Sequence, residues 1–220
     1  MEKVSSNSRP IARAAICGTF SANLPVSAFS MRFARNAEIY GEQEPAEYLY
    51  RVVSGAVRTY TITDDGRRQI DAFHLPGDVF GFEAGALHRF SAEAIADCEV
   101  LVASRPAIER AAEQDGAAAR ELWALTARQL ARVCDHMLVL GRKGAAERVV
   151  SFLLEMAARD KHGASFQLPM SRTDIADYLG LTIETVSRCF SQLGRSHAIE
   201  LDGARQVCLR DMRALEAMAA

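Results

Sequence analysis

Glu184, Ser187 and Arg188 lie three and four residues apart. On a helix that spacing puts them on one face. An arginine can donate two hydrogen bonds to O6 and N7 of guanine, and a carboxylate can accept one from N4 of cytosine. Each good bidentate pair discriminates between bases by roughly 1–3 kcal/mol. A serine between them lets the helix approach closely and can contact a base or Arg188. The chemistry these residue types fit is the reading of base edges in a DNA major groove.

Such a face needs a short, well-stopped scaffold, and the window from Ser171 to Leu193 supplies one. Ser171 is a good N-cap, with Asp174 three residues on near the positive helix end. Ile175, Ala176 and Leu179 give a first helix one apolar face. Gly180 suits the left-handed residue that ends a helix, and Leu181 can plug the turn. Thr182 is a second N-cap. Ile183, Val186, Phe190 and Leu193 then form the buried stripe of a second helix, opposite Glu184, Arg188, Ser191 and Arg195. Two short helices about a glycine turn make a helix-turn-helix, whose second helix meets bases with its first turns. Ser171, Arg172, Thr173, Thr182, Thr185 and Ser191 are placed as phosphate contacts, which set register rather than sequence.

The surrounding charge is modest. The 220-residue chain carries 26 Lys+Arg and 28 Asp+Glu, and residues 141–220 hold 11 basic and 10 acidic side chains. No strong basic field drives non-specific binding, so placed arginines, base readout and dimerisation must supply affinity. At 49% hydrophobic and 25% charged residues the composition is that of a globular protein with room for two modest domains. No apolar run approaches the ~18 residues of a membrane span, and the first ~30 residues show no leader pattern. A cytoplasmic protein with no membrane partner is expected.

Cys17, Cys98, Cys134, Cys189 and Cys208 are scattered, without a paired motif for a disulfide framework or zinc. Cys98 and Cys134 read as buried free thiols. His74, His88, His136, His162 and His197 form no ligand-spaced pair. With no glycine-rich phosphate loop, nucleophile elbow or metal triad, no enzyme, metal or cofactor is expected.

Residues 1–28 are rich in Ser, Asn and Pro and read as a flexible arm. Residues 29–116 carry strand patterns. Tyr48–Tyr60 is strand, glycine turn, strand; Asp64-Asp65-Gly66 is a hairpin signal; Gln69–Leu75 is a strand stopped by Pro76-Gly77-Asp78; and Ala92–Ala103 gives one or two more. Together they imply a small antiparallel barrel or β-roll. Residues 117–141 read as one long helix with Leu122, Thr126, Gln129, Val133, Met137 and Leu140 at coiled-coil steps, a dimerisation seam, and Leu125 and Leu130 widening it. Gly141-Arg-Lys-Gly144 is a break. Residues 142–220 add a further helix, a short strand near Phe166–Pro169, the helix-turn-helix, and a hairpin around Asp202-Gly203 that makes it winged. The fold class is α+β.

This order, with Val53-Ser-Gly-Ala-Val-Arg58 and Leu75-Pro-Gly-Asp-Val-Phe-Gly-Phe-Glu-Ala-Gly85, resembles the Crp/Fnr superfamily of bacterial transcription regulators, whose roll is that of cyclic-nucleotide-binding domains. Gly-Arg-Arg-Gln (66–69), Phe-His-Leu-Pro-Gly (73–77), Leu-Pro-Met-Ser-Arg (168–172) and Asp-Tyr-Leu-Gly-Leu-Thr-Ile-Glu-Thr-Val-Ser-Arg (177–188) are most similar to its FixK branch. The resemblance implies a homodimer that contacts RNA polymerase, activates transcription under oxygen limitation, including nitrogen-fixation genes, and reads TTGAT, four free base pairs, ATCAA. The Crp type has an arginine directly before the glutamate and a glycine in the Ser187 place, where this chain has Ile183 and Ser187.

The resemblance also sets expectations about the sensor. An Fnr-type iron–sulfur cluster takes four thiolates, and Cys17 is the only cysteine in the first 90 residues. Crp proteins hold cyclic AMP with a glutamate and an Arg-Ser pair; here Glu83 is present, but Phe90 precedes Ser91 and Arg89 is displaced by one. FixK proteins resemble a default-active state without ligand. The competing reading is a regulator gated by a nucleotide, haem or other small molecule. Finally, Cys189 follows Arg188 directly. Its oxidation to a charged acid would set negative charge beside phosphates, a candidate redox switch.

Overall fold

In the computed structural model the described residues are 12–160, 163–203 and 205–220, with side chains from Thr19 onward apart from the gaps. They fall into two units, Met1–Leu130 and Ala131–Ala220.

The first unit runs β1 (Ala12–Ser21), β2 (Leu24–Phe33), β3 (Glu38–Tyr40), β4 (Tyr48–Ser54), β5 (Val57–Ile62), β6 (Arg68–His74), β7 (Val79–Phe80), β8 (Ser91–Ala94) and β9 (Cys98–Ser104). Two antiparallel sheets result, ordered β1-β2-β9-β4-β7 and β3-β8-β5-β6. Tyr50, Val52, Val100 and Val102 of one sheet share a core with Val57, Ala92 and Ala94 of the other. The chain passes between the sheets at Gly55, where φ is +79° and an added Cβ would stand 2.3 Å from the Asp97 carbonyl oxygen. Only glycine fits there. The Asp64-Asp65-Gly66 hairpin forms as read, with the Thr63 N–H donating to the Arg67 carbonyl at 2.8 Å.

The expected arm is corrected by this sheet. Residues 1–11 lie outside the described residues, but 12–28 belong to β1 and β2, and Phe20 and Leu24 are fully buried. They pack with Val26, Ala28, Leu49, Val79 and Ala103 against α1 (Arg105–Gln114) and the start of α2 (Gly116–Arg142) through Ile108 and Ala118. On β2, Pro25 and Ser27 occupy outward positions between the buried Leu24, Val26 and Ala28, which hid the pattern. The break falls inside the Gly141-Arg-Lys-Gly144 stretch: α2 ends at Arg142 and α3 begins at Ala145.

The second unit continues with α3 (Ala145–Arg159), β10 (Ser165–Gln167), α4 (Arg172–Leu179), α5 (Ile183–Arg195), β11 (Ile199–Asp202), β12 (Gln206–Leu209) and α6 (Met212–Ala219). The three strands form an antiparallel sheet, β10-β12-β11, with Val207 opposite both Phe166 and Leu201. Phe152, Leu153, Ile175, Leu179, Val186, Phe190, Ile199 and Leu215 are buried, so the wing, the helix pair and α3 are supported from behind by apolar packing. α6, absent from the sequence reading, lies along α3. Among the described residues no helix is long and apolar enough to cross a membrane.

Candidate nucleic-acid interface

α4 starts where its cap dictates. The Ser171 hydroxyl oxygen accepts the Asp174 N–H at 3.1 Å, while the Asp174 carboxylate accepts the Ser171 N–H at 2.9 Å and its O–H at 2.7 Å. This reciprocal box satisfies helix-end donors, and it engages the Ser171 hydroxyl in the cap, so its proton is not free for a phosphate. α4 ends at Gly180, with φ +62° and ψ +41°, and the Leu181 N–H returns to the Ala176 carbonyl. Thr182 then caps α5, its oxygen accepting the Thr185 N–H at 3.3 Å.

α5 has two distinct faces. Val186, Cys189, Phe190 and Leu193 are buried; Glu184, Ser187, Arg188, Ser191 and Arg195 are exposed. Glu184, Ser187 and Arg188 therefore stand together on one open surface. Its own backbone N–H, the Thr182 hydroxyl and the Arg188 charge hold the Glu184 carboxyl below the usual carboxylate range, leaving an acceptor. Among the described residues no hydrogen bond or ion pair engages the Arg188 guanidinium, so its donors face outward. Thr173 and Thr182 are exposed at the helix starts and Thr185 is half-buried; the Ser191 hydroxyl donates to the Ser187 carbonyl at 2.9 Å.

Four expectations are corrected. Ile183 is 40% exposed rather than part of the buried stripe. Arg172 is not a free basic side chain: its guanidinium stacks on Phe190, a neighbour the sequence spacing does not reveal. Cys134 is exposed, not buried. Cys189 points to the core side of α5, only 9% exposed, and burial pushes its thiol pKa up against the opposing pull of Arg188. A redox switch works through a thiolate that oxidants can reach, so this geometry argues against one.

On α2 the exposed large apolar side chains are Trp123, Leu130, Val133, Met137 and Leu138. Trp123, Thr126, Leu130, Val133, Met137 and Leu140 follow alternating three- and four-residue steps. Leu122, expected in the seam, packs with Leu125 against the roll core; Gln129 is half-buried and polar, and Leu130 beside it is the exposed apolar position.

In the roll, the Glu83 side chain is turned inward. It is 8% exposed, accepts the Arg89 N–H at 3.0 Å, and lies 3.6 Å from His88 Nδ1. His88 stacks on Tyr40 with ring centres 3.6 Å apart.

Against this geometry, residues 147–218 match the Crp-like helix-turn-helix domain and residues 30–115 the cyclic nucleotide-binding domain. The nitrogen fixation regulation protein FixK of Azorhizobium caulinodans is 50% identical over 188 residues, 83% of this chain and 76% of the relative. The FixK of Rhizobium meliloti is 44% identical over 181 residues, 82% of each. The solved structure of FixK2 from Bradyrhizobium japonicum superposes with a TM-score of 0.85 at 54% identity, covering 88% of this chain and 98% of that one.

Proposed function

The chain belongs to the FixK-type transcription regulators of the Crp/Fnr superfamily, and from that membership we propose that it acts as a homodimer, without a bound cofactor, on TTGAT/ATCAA palindromes. The observation that carries this reading is the open face of α5, where an acceptor carboxylate, a small hydroxyl and an arginine with free donors stand side by side. Arg188 suits guanine and Glu184 suits cytosine N4. Thr173, Thr182 and Thr185 suit the flanking phosphates. The exposed apolar stripe on α2 is the material of a coiled-coil seam, and a two-fold dimer matches a palindrome. The promoters activated through RNA polymerase are those of respiration and nitrogen fixation at low oxygen.

The test is fluorescence anisotropy of reduced, ligand-free protein on a TTGAT/ATCAA duplex and on one with its guanine–cytosine pairs exchanged, at fixed salt. Selective binding, abolished in Arg188→Ala, supports the reading; equal weak binding to both duplexes sinks it.

A second reading, ligand gating, is favoured by the match of 30–115 to the cyclic nucleotide-binding domain. The inward Glu83, already hydrogen-bonded to its own loop, weighs against a nucleotide there. A thermal-shift screen of nucleotides separates the two readings, since only gating requires a stabilising ligand.

A further inference from the structure

Arg148 sits in the first turn of α3, where a cation gains nothing from the helix dipole. Its side chain reaches back past that end and is engaged by carbonyl oxygens. Nε donates to the Lys143 carbonyl at 2.8 Å, Nη2 to the Leu140 carbonyl at 2.8 Å, and Nη1 to the Leu179 carbonyl at 2.9 Å. Leu140 lies in the last turn of α2, and Leu179 closes α4. Both carbonyls belong to helix C-termini, where acceptors lack an intrahelical partner and partial negative charge collects. An arginine spreads its donors over three nitrogens of a planar fork and can reach three separated carbonyls at once; a lysine ammonium gathers its three donors on one nitrogen and cannot span them. Gly180 completes the cluster. A Cβ placed there would stand 3.6 Å from Arg148 Nη1 and 3.9 Å from Leu140 Cδ2, so the turn of the helix-turn-helix is seated against the clamp.

We propose that Arg148 is a positioning residue for DNA reading: by holding the Leu140 and Lys143 carbonyls to the Leu179 carbonyl, it fixes the helix-turn-helix on the end of α2 and thereby the half-site spacing a dimer accepts. The spacing part rests on the homodimer reading above; the clamp itself does not.

The experiment uses the full chain as Arg148→Met and Arg148→Lys, with circular dichroism to establish folding. Without DNA, amide exchange is expected to quicken at Lys143, Gly180 and Leu181 in both variants, with β5 and β6 unchanged. Unaltered exchange there overturns the clamp whether or not the protein reads TTGAT. On DNA, wild type is expected to prefer the four-base spacer over one lengthened by roughly five base pairs, about half a helical turn. Both variants are expected to lose that preference, while affinity for a single half-site changes by no more than about twofold. If the Met variant does not fold, the Lys variant decides alone. Lysine behaving as wild type would reduce the role to charge and overturn the proposal, as would retained spacing preference in a variant with loosened exchange.

Discussion

The Arg172 guanidinium lies 3.3 Å from the centre of the Phe190 ring, joining the first residue of α4 to the buried side of α5. Burial brings its pKa down to about 10. A cation on an aromatic face is worth about 0.5–2 kcal/mol. Arg172→Ala is therefore expected to lower the melting point of the winged unit. The dependence of affinity on salt should keep the wild-type slope. If Arg172 instead binds phosphate, the slope in a log–log plot falls by about 0.9 for each phosphate no longer neutralised.

The open face of α5 separates two kinds of defect. Arg188→Ala is expected to cost about 1–3 kcal/mol in discrimination at the guanine position, roughly 5- to 150-fold. Glu184→Gln should relax selectivity at the cytosine while non-specific affinity rises slightly, since a negative charge is removed. Because Glu184 ionises below the ordinary carboxylate range, selectivity should stay flat on acidification to about pH 5.5. A titration of selectivity above that pH would assign another group to the base.

The seam on α2 can be read from a built-in probe. Trp123 is the single tryptophan and is 76% exposed. Its emission should shift to the blue as concentration rises and the dimer forms. Met137→Glu is expected to abolish that shift, whereas Leu122→Ala should keep it and destabilise the roll instead, by about 1–2 kcal/mol for a half-buried leucine. The opposite pattern would restore the seam through Leu122.

His88 is 1% exposed, and burial holds its pKa below the ordinary histidine value; Arg105 acts in the same direction, Glu83 and Glu44 against it. A histidine with a depressed folded pKa stays neutral when the unfolded chain already takes up a proton. Its stabilisation is complete above the unfolded value of about 6.5 and is lost as pH falls below it. His136 shifts in the same direction. Melting points should therefore drop on going from about pH 7.5 to about pH 5.5, and His88→Phe, which keeps the stack on Tyr40, should drop less. An equal drop would place the titration elsewhere.

The thiols should react in order of access. Cys134 is exposed, Cys208 intermediate, and Cys98 and Cys189 buried, with the Cys98 pKa pushed up to about 11. Mass spectrometry after brief alkylation of native protein should find Cys134 first. Peroxide should weaken DNA binding equally in wild type and Cys189→Ser; protection by the serine would reinstate the switch.

The helix-turn-helix was legible because its signals are local: Ser171 and Thr182 cap, Gly180 turns left-handed, and the apolar steps follow within one turn. Position on a helix was harder where two surfaces compete. Leu122 and Trp123 are both apolar, and only the fold of the roll decides that Leu122 turns inward. Arg148 and Arg172 were opaque for the same reason, since their partners are carbonyls and a ring brought near by tertiary packing.

The first hairpin also bears on where this protein can be cut. Matching to the cyclic nucleotide-binding domain begins at residue 30, yet β1 and most of β2 precede it, and Phe20 and Leu24 fill the core beneath α1. A fragment trimmed to the matched module would strip β1 from what remains of β2, leaving that strand's edge open and a hydrophobic floor wet, inviting strand-to-strand aggregation. A fragment that keeps this core intact begins upstream of that module, so as to include β1.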